Sequence, residues 1–304
     1  MSNGSKMPAT LMAVVTVTLW AASYPWSKVI LGWLDPIAAA QVRYGAAAVV
    51  LVALTLGSGQ LSKVFRSNWK SYLVIGCVGF AVFPVLVFSA LSYTSAMNAS
   101  VIMALSPVMT MVGASVFLGE KLTRRSLIGL AVSVLGAVIA VVGDSPHGLA
   151  GFTIDVGEPI MLVAAACLAF YTVASRKLLK PEVPAKINIA LVVAIGAILL
   201  LPVAFIFGKA PTTAPSADVV VALLGIVLGS TVLGYLFWMR ATQTLGVQTP
   251  NLLFNFISVL TIAFAWIGGT APFPEQLVGA ALVIVGVTIS AFKTRSAHSA
   301  GHHA

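Results

Sequence analysis

Ten apolar runs, each long enough to cross a bilayer and joined by short connections, constrain this chain more than any other feature. They cover residues 8–31, 36–56, 69–92, 97–118, 124–143, 156–179, 185–207, 218–242, 250–270 and 275–292. A helix gains about 1.5 Å per residue, so about 20 apolar residues span the hydrocarbon core. Within lipid every backbone N–H and C=O must be satisfied inside the segment itself, and runs of this length do so as helices. Composition agrees: 59% of residues are hydrophobic and 8% charged, where a soluble domain needs about 25% charged to face water. The expected fold is an all-α integral membrane protein with ten transmembrane helices, its main partner the lipid bilayer. The first run is too long for a signal-peptide core and is read as a retained helix.

The 17 Lys and Arg set the orientation, because basic residues favour the cytoplasmic ends of spans. With both termini inside, all but Lys28, Arg43 and Lys209 fall at inner loops and ends. Asp35, Asp144, Asp155, Glu158, Asp218 and Glu275 fall outside, leaving Glu120 and Glu182 inside. A one-helix shift breaks this pattern. The net charge of +9 is scattered between apolar runs, so no nucleic-acid partner is expected. Cys77 and Cys167 lie in two different apolar segments, which supports neither a disulfide nor a metal site. His147 stands alone, and His298, His302 and His303 sit in a polar tail. No metal, cofactor or catalytic residue is expected, and a membrane-embedded enzyme is the weaker reading because no acids, histidines or cysteines cluster.

The chain also repeats itself. "FLGEKLTRRSLIGLAVSVLGAVI" (117–139) returns as "WIGGTAPFPEQLVGAALVIVGVTI" (266–289). Gly119, Leu127, Gly129 and Gly136 recur 150 residues later as Gly269, Leu277, Gly279 and Gly286. More loosely, Ser27-Lys28 of "WAASYPWSK" answers Ser175-Arg176 of "AFYTVASRK", and Ala90-Leu91 answers Ala241-Thr242. The repeat divides the chain into residues 1–147 and 148–304. Five helices per half is an odd number, so the second half enters from the opposite face, giving two inverted five-helix repeats. Transporters built this way place their site near the midplane between the halves and alternate access around it.

"WAASYPWSK", "DPIAAAQVRYGAAA" (35–48), "ALSYTSAMNASVIMALSPV" (90–108) and the 117–139 segment together resemble the EamA-type repeat of the drug/metabolite transporter superfamily. The resemblance covers nearly the whole chain. It implies ten helices in inverted repeats, a bacterial inner-membrane location, and export of small metabolites, with amino acids first and drug or other metabolite efflux as the alternative. Helix 9 departs from the pattern, carrying Ser258 where helix 4 has Pro107. The sugar-phosphate branches fit less well, because helices 8 and 9 carry no intramembrane lysine.

Polar side chains at helix depth are costly and usually face the bundle interior. Trp20, Tyr24 and Ser27 share one face of helix 1 at i, i+4 and i+7. Tyr171 and Ser175 lie in the matching segment of helix 6. Asn98 and Ser106 of helix 4, Tyr235 and Trp238 of helix 8, and the stripe Asn251, Asn255 and Ser258 of helix 9 complete the candidate substrate-binding set. The helix 9 stripe serves equally for interhelical hydrogen bonds. Arg43 lies seven residues into helix 2, where an ion pair with Asp35 or snorkelling competes with substrate contact; Lys28 reads as an outer-boundary residue. Gly129, Gly136, Gly279 and Gly286 let helices 5 and 10 approach closely, either each other or a second copy in a homodimer. No Asp or Glu lies mid-span, so the expected path is a cavity of neutral dipoles and aromatic rings suited to zwitterionic small molecules, with no carboxylate proton relay.

Overall fold

In the computed structural model, residues 6–120, 122–142, 155–245, 253–254 and 256–291 are described. Among them the chain forms ten helical spans and no strand. We label these α1 (Lys6–Leu31), α2 (Pro36–Leu56), α3 (Leu61–Tyr93), α4 (Ala96–Leu118), α5 (Arg124–Val142), α6 (Gly157–Leu178), α7 (Ala185–Phe207), α8 (Ala217–Leu245), α9 (Phe256–Ile267) and α10 (Pro274–Ala291). Eight are long and apolar enough to cross a membrane, and α9 and α10 are shorter apolar helices. The protein is a multi-pass membrane protein.

Local chemistry starts these helices where charge and turn residues interrupt the apolar runs. Asp35 caps α2, its Oδ1 accepting from the N–H of Ile37 at 2.9 Å and of Ala38 at 3.2 Å, with Pro36 in the first turn, where no amide is needed. Ser95 and Ser216 cap α4 and α8 in the same way. At the other end of α4, Gly119 adopts φ +73°, and Gly269 after α9 adopts φ +94°. Both are left-handed stops that suit glycine, and they are 150 residues apart, so the repeat extends to backbone conformation.

Three irregularities position the site. The first turns of α3 carry Lys63 and Arg66 and meet the rest of the helix, which carries Lys70 near its start, at a kink at Asn68 (φ −151°, ψ 34°). The span therefore begins eight residues before the apolar run at 69. Both α3 and α8 contain a π-helical segment, Cys77–Val82 and Gly225–Leu233, again at equivalent places in the two halves. Helix α4 breaks at Ala104–Leu105 ahead of Ser106-Pro107, whereas α9 runs unbroken from Phe256 through Ser258 to Ile267.

The packing is two-fold in pattern. Helix α1 packs on α8 and α9, and its counterpart α6 packs on α3 and α4; α2 packs on α7 and α5 on α10. Each pair maps onto another, or onto itself, when five is added to or subtracted from each helix number. The α5–α10 contact settles where the glycines point. A Cβ at Gly136 would stand 2.7 Å from the Gly279 carbonyl oxygen, and one at Gly286 would stand 2.6 Å from that of Gly129. The glycine faces thus meet within one chain, and a homodimer through these helices would use their other sides, where Leu127, Leu135, Leu277 and Val285 are exposed. The buried core is rich in alanine while Ile198, Phe205 and Ile267 face outward, as expected for a fold solvated by lipid.

Candidate functional site

Between the halves lies a cavity of about 1200 Å³, lined by residues of α1, α2, α3, α4, α6, α7 and α8, with Ile257 of α9 and Val287 of α10. Its aromatic side chains are linked ring to ring, in part through Phe80, which is buried behind the wall. The Trp20 ring centroid lies 5.0 Å from Trp238, 5.7 Å from Tyr235 and 5.8 Å from Phe254. Tyr235 lies 5.6 Å from Phe80, which in turn meets Tyr171 at 5.3 Å and Tyr44 at 5.5 Å. Edge-to-face pairs of this kind fix ring positions across five helices.

Backbone irregularity supplies the anchor points. The Trp20 indole N–H donates to the Ser230 carbonyl at 2.9 Å, and the Thr16 hydroxyl is shared between the Met12 carbonyl of its own helix at 2.8 Å and the Gly234 carbonyl at 3.3 Å. The Ser230 and Gly234 carbonyls lie in or beside the π-helical segment of α8, where the change of hydrogen-bond register frees carbonyls. The same segment brings Ser230 and Thr231 to α2: Arg43 Nε donates to Thr231 Oγ1 at 3.0 Å and Nη2 to Ser230 Oγ at 3.3 Å. Arg43 is buried, lines the cavity and lies over the Tyr44 ring at 5.0 Å. Asp35 is engaged elsewhere, at the α2 cap and with the Lys209 amide at 2.6 Å.

The two ends of the cavity differ. At one membrane face it opens between Glu120, Arg176, Lys180 and Glu182, with Arg176 paired to Glu120 at 2.5 Å and both half exposed. At the other face it is sealed. Lys28 Nζ donates to the Leu91 carbonyl at 2.5 Å, the Trp33 indole donates to the Thr213 carbonyl at 2.8 Å, and Thr94 donates to Glu158 at 2.5 Å. There α6 presses on the end of α3: a Cβ at Gly157 would stand 2.8 Å from the Thr94 amide nitrogen.

Of the sequence candidates, Trp20, Tyr24, Ser27, Ser106, Tyr171, Ser175, Tyr235 and Trp238 line this cavity. Asn98 does not; it is buried outside the wall and accepts from Gln276 Nε2 of α10 at 3.0 Å. Ser258 is fully buried and also absent from the wall, while Asn251 and Asn255 lie outside the described residues. The neighbouring Thr261 of α9 donates to the Ala21 carbonyl at 3.2 Å, the interhelical use that stripe equally allowed. Sequence reasoning passed over Ser23, Tyr44 and Asn188 on the wall. Arg43, weighed in the sequence between an ion pair with Asp35, snorkelling and substrate contact, also lines the wall.

Residues 7–142 and 156–292 each match the EamA-like transporter family, one match on either side of the 147/148 division. The chain is 30% identical to the uncharacterized transporter YyaM of Bacillus subtilis (strain 168), covering 88% of each protein. It is 31% identical to a probable terminal-alkyne amino-acid exporter of Streptantibioticus cattleyicolor, covering 91% of each. A solved crystal structure 22% identical in sequence overlays it with a TM-score of 0.65, covering 93% of this chain and 96% of the other, a likeness of fold.

Proposed function

We propose, from the premise that this chain belongs to the EamA-like transporter family, that it exports small metabolites, amino acids first, by alternating access. The carrying observation is the cavity between the repeats, open at one membrane face and latched at the other. Lys63, Arg66, Arg124, Arg125, Arg176, Lys177 and Lys180 belong to the ends and connections on the open side. By the preference of basic residues this side is cytoplasmic, which puts both termini inside and lets the cavity load from the cell interior. A bacterial inner membrane is the setting this orientation fits. The wall combines aromatic faces with serine and threonine hydroxyls, and its carboxylates, Glu120 and Glu182, stand at the open end. A solute with both charges and a modest side chain suits such a wall, and the amino-acid exporter among its relatives supports that class. With no carboxylate along the path, flux needs no proton relay through an acid, and the reading is transport without enzymatic turnover.

Solute exchange by the purified full-length chain in liposomes tests the proposal. Radiolabelled amino acids are expected to exchange across the vesicle wall with no imposed pH gradient. Tyr24→Ala and Trp238→Ala are each expected to lower that exchange about tenfold or more, the scale of losing one buried aromatic contact. Strict dependence on a pH gradient would count against the uncoupled reading. Unchanged flux in both variants would remove the cavity from the transport path, and exchange of apolar cations in place of amino acids would move the protein to drug efflux.

A further inference from the structure

Arg43 has a cost that the folded chain itself does not offset. Its side chain is 9% exposed and a guanidinium does not release its proton in a protein. Its two hydrogen bonds go to neutral hydroxyls, Thr231 Oγ1 and Ser230 Oγ. Hydroxyls orient the fork and the Tyr44 ring at 5.0 Å attracts the cation, but neither is a counter-charge, and a buried cation without one is strongly unfavourable. The Arg176–Glu120 ion pair lies at the open end, and the nearest acid along the chain, Asp35, is bound to backbone amides. Arg43 has five N–H groups; Nε and one hydrogen of Nη2 are used, so Nη1 keeps both of its own and Nη2 keeps one.

We infer that Arg43 is the anchor for a substrate carboxylate, held at the sealed end of the cavity. The inference rests on the cavity being the transport path. The pair Nη1 and Nη2 forms the edge of a guanidinium that accepts a carboxylate through two parallel hydrogen bonds. The hydroxyls of the α8 π-helical segment hold the opposite edge and so fix the plane of the fork. Arg43 enters α2 seven residues after Pro36, about 10 Å from the sealed face at helical rise, so an anchored ligand lies beneath the Lys28–Leu91 latch. The remainder of the ligand then extends along Trp20, Tyr235 and Trp238, whose ring faces accept an ammonium group by cation–π attraction as readily as an apolar side chain. The ligand class is a monocarboxylate of net charge zero or minus one.

Binding can be read in the full-length protein in lipid nanodiscs through the emission of Trp20 and Trp238. The probes are optically silent pairs: L-leucine with L-leucinamide, and 4-methylpentanoate with 4-methylpentanamide. Each carboxylate is expected to bind about tenfold or more tighter than its amide, the scale of one charge-assisted bidentate contact. In Arg43→Gln the carboxylates are expected to fall to the level of the amides. Arg43→Lys is expected to keep part of the preference, having the charge without the fork. The wild-type comparison requires no variant to fold. Equal binding within both pairs, failure of both carboxylates to bind, or a preference that survives in Arg43→Gln overturns the anchor. Preference for 4-methylpentanoate with no binding of leucine keeps the anchor and removes the amino-acid reading. Leucine exchange in liposomes with no carboxylate preference does the reverse.

Discussion

Pro25 lies inside α1 and has no amide to offer the carbonyl of Ala21 one turn earlier. That carbonyl accepts instead from the Thr261 hydroxyl of α9 at 3.2 Å, and both Ala21 and Thr261 are fully buried. The proline thus turns an internal helix bond into a bond between the repeats, close to the wall formed by Trp20, Tyr24 and Ser27. Thr261→Val is expected to cost about 0.5–1 kcal/mol, the range of side-chain hydrogen bonds inside membranes. Pro25→Ala restores an amide to the same carbonyl, so in the Thr261→Val background it is expected to return most of that loss. Equilibrium unfolding of the four proteins measures the coupling, and strictly additive effects would show that the two residues are independent. At this scale the α1 face was legible because i, i+4 and i+7 positions alone identify it. Asn98 pairs with Gln276 on α10, and no spacing within α4 reveals that. Arg43 was undervalued because Asp35 is near it in sequence, while the carboxylate is spent on capping α2.

Helices α5 and α10 illustrate what short motifs decide and what they leave open. Close approach followed from Gly129, Gly136, Gly279 and Gly286; the choice of partner did not, since a glycine face fits a neighbour in the same chain and one in another equally well. The structure brings the two together so tightly that a Cβ at Gly279 would stand 2.5 Å from both the Ala140 amide nitrogen and the Gly136 carbonyl oxygen. Backbone cannot yield as a side-chain tip can, so Gly279→Val is expected to destabilise the protein by about 1–3 kcal/mol, the usual cost of overpacking. Thermal unfolding in detergent checks it, with Leu277→Val on the exposed side of α10 as the comparison expected to be near neutral. A similar midpoint for the two variants would mean the helices separate without penalty. The start of α3 was hidden for a different reason. Lys63, Arg66 and Lys70 end an apolar run when the sequence is read linearly, yet they leave one side of a helical turn free for Leu61 and Val64 to pack on the core. The π-helical segments left no signature that hydropathy could register.

The two-fold pattern of the whole molecule was legible because glycines recur at an offset of 150 residues and the spans follow at close to the same offset. Which end of the path is open was not, because the two states of an inverted repeat share one sequence. The departure from symmetry in the structure carries that information. Helix α1 packs on α3 at the sealed end, with Lys28 bound to the Leu91 carbonyl. The equivalent elements are α6 and α8, and there Arg176 and Thr242 both line the opening while Arg176 is held by Glu120. If the halves exchange conformations, as alternating access in an inverted repeat requires, the α6–α8 contact must form as the α1–α3 contact breaks. Arg176, the counterpart of Lys28, is then expected to leave Glu120 and reach the carbonyls at the end of α8 near Ala241 and Thr242. A chain with Cys77 and Cys167 replaced by serine and carrying Arg176→Cys with Thr242→Cys reports this closure. Mild oxidation during solute exchange is expected to form the disulfide and stop flux, and reduction to restore it. A second pair, Lys28→Cys with Leu91→Cys, joined by a bifunctional maleimide that spans the length of the lysine side chain, is expected to trap the cavity open on the basic face. Persistent flux through either cross-linked protein would show that the path does not close by exchange of the two halves.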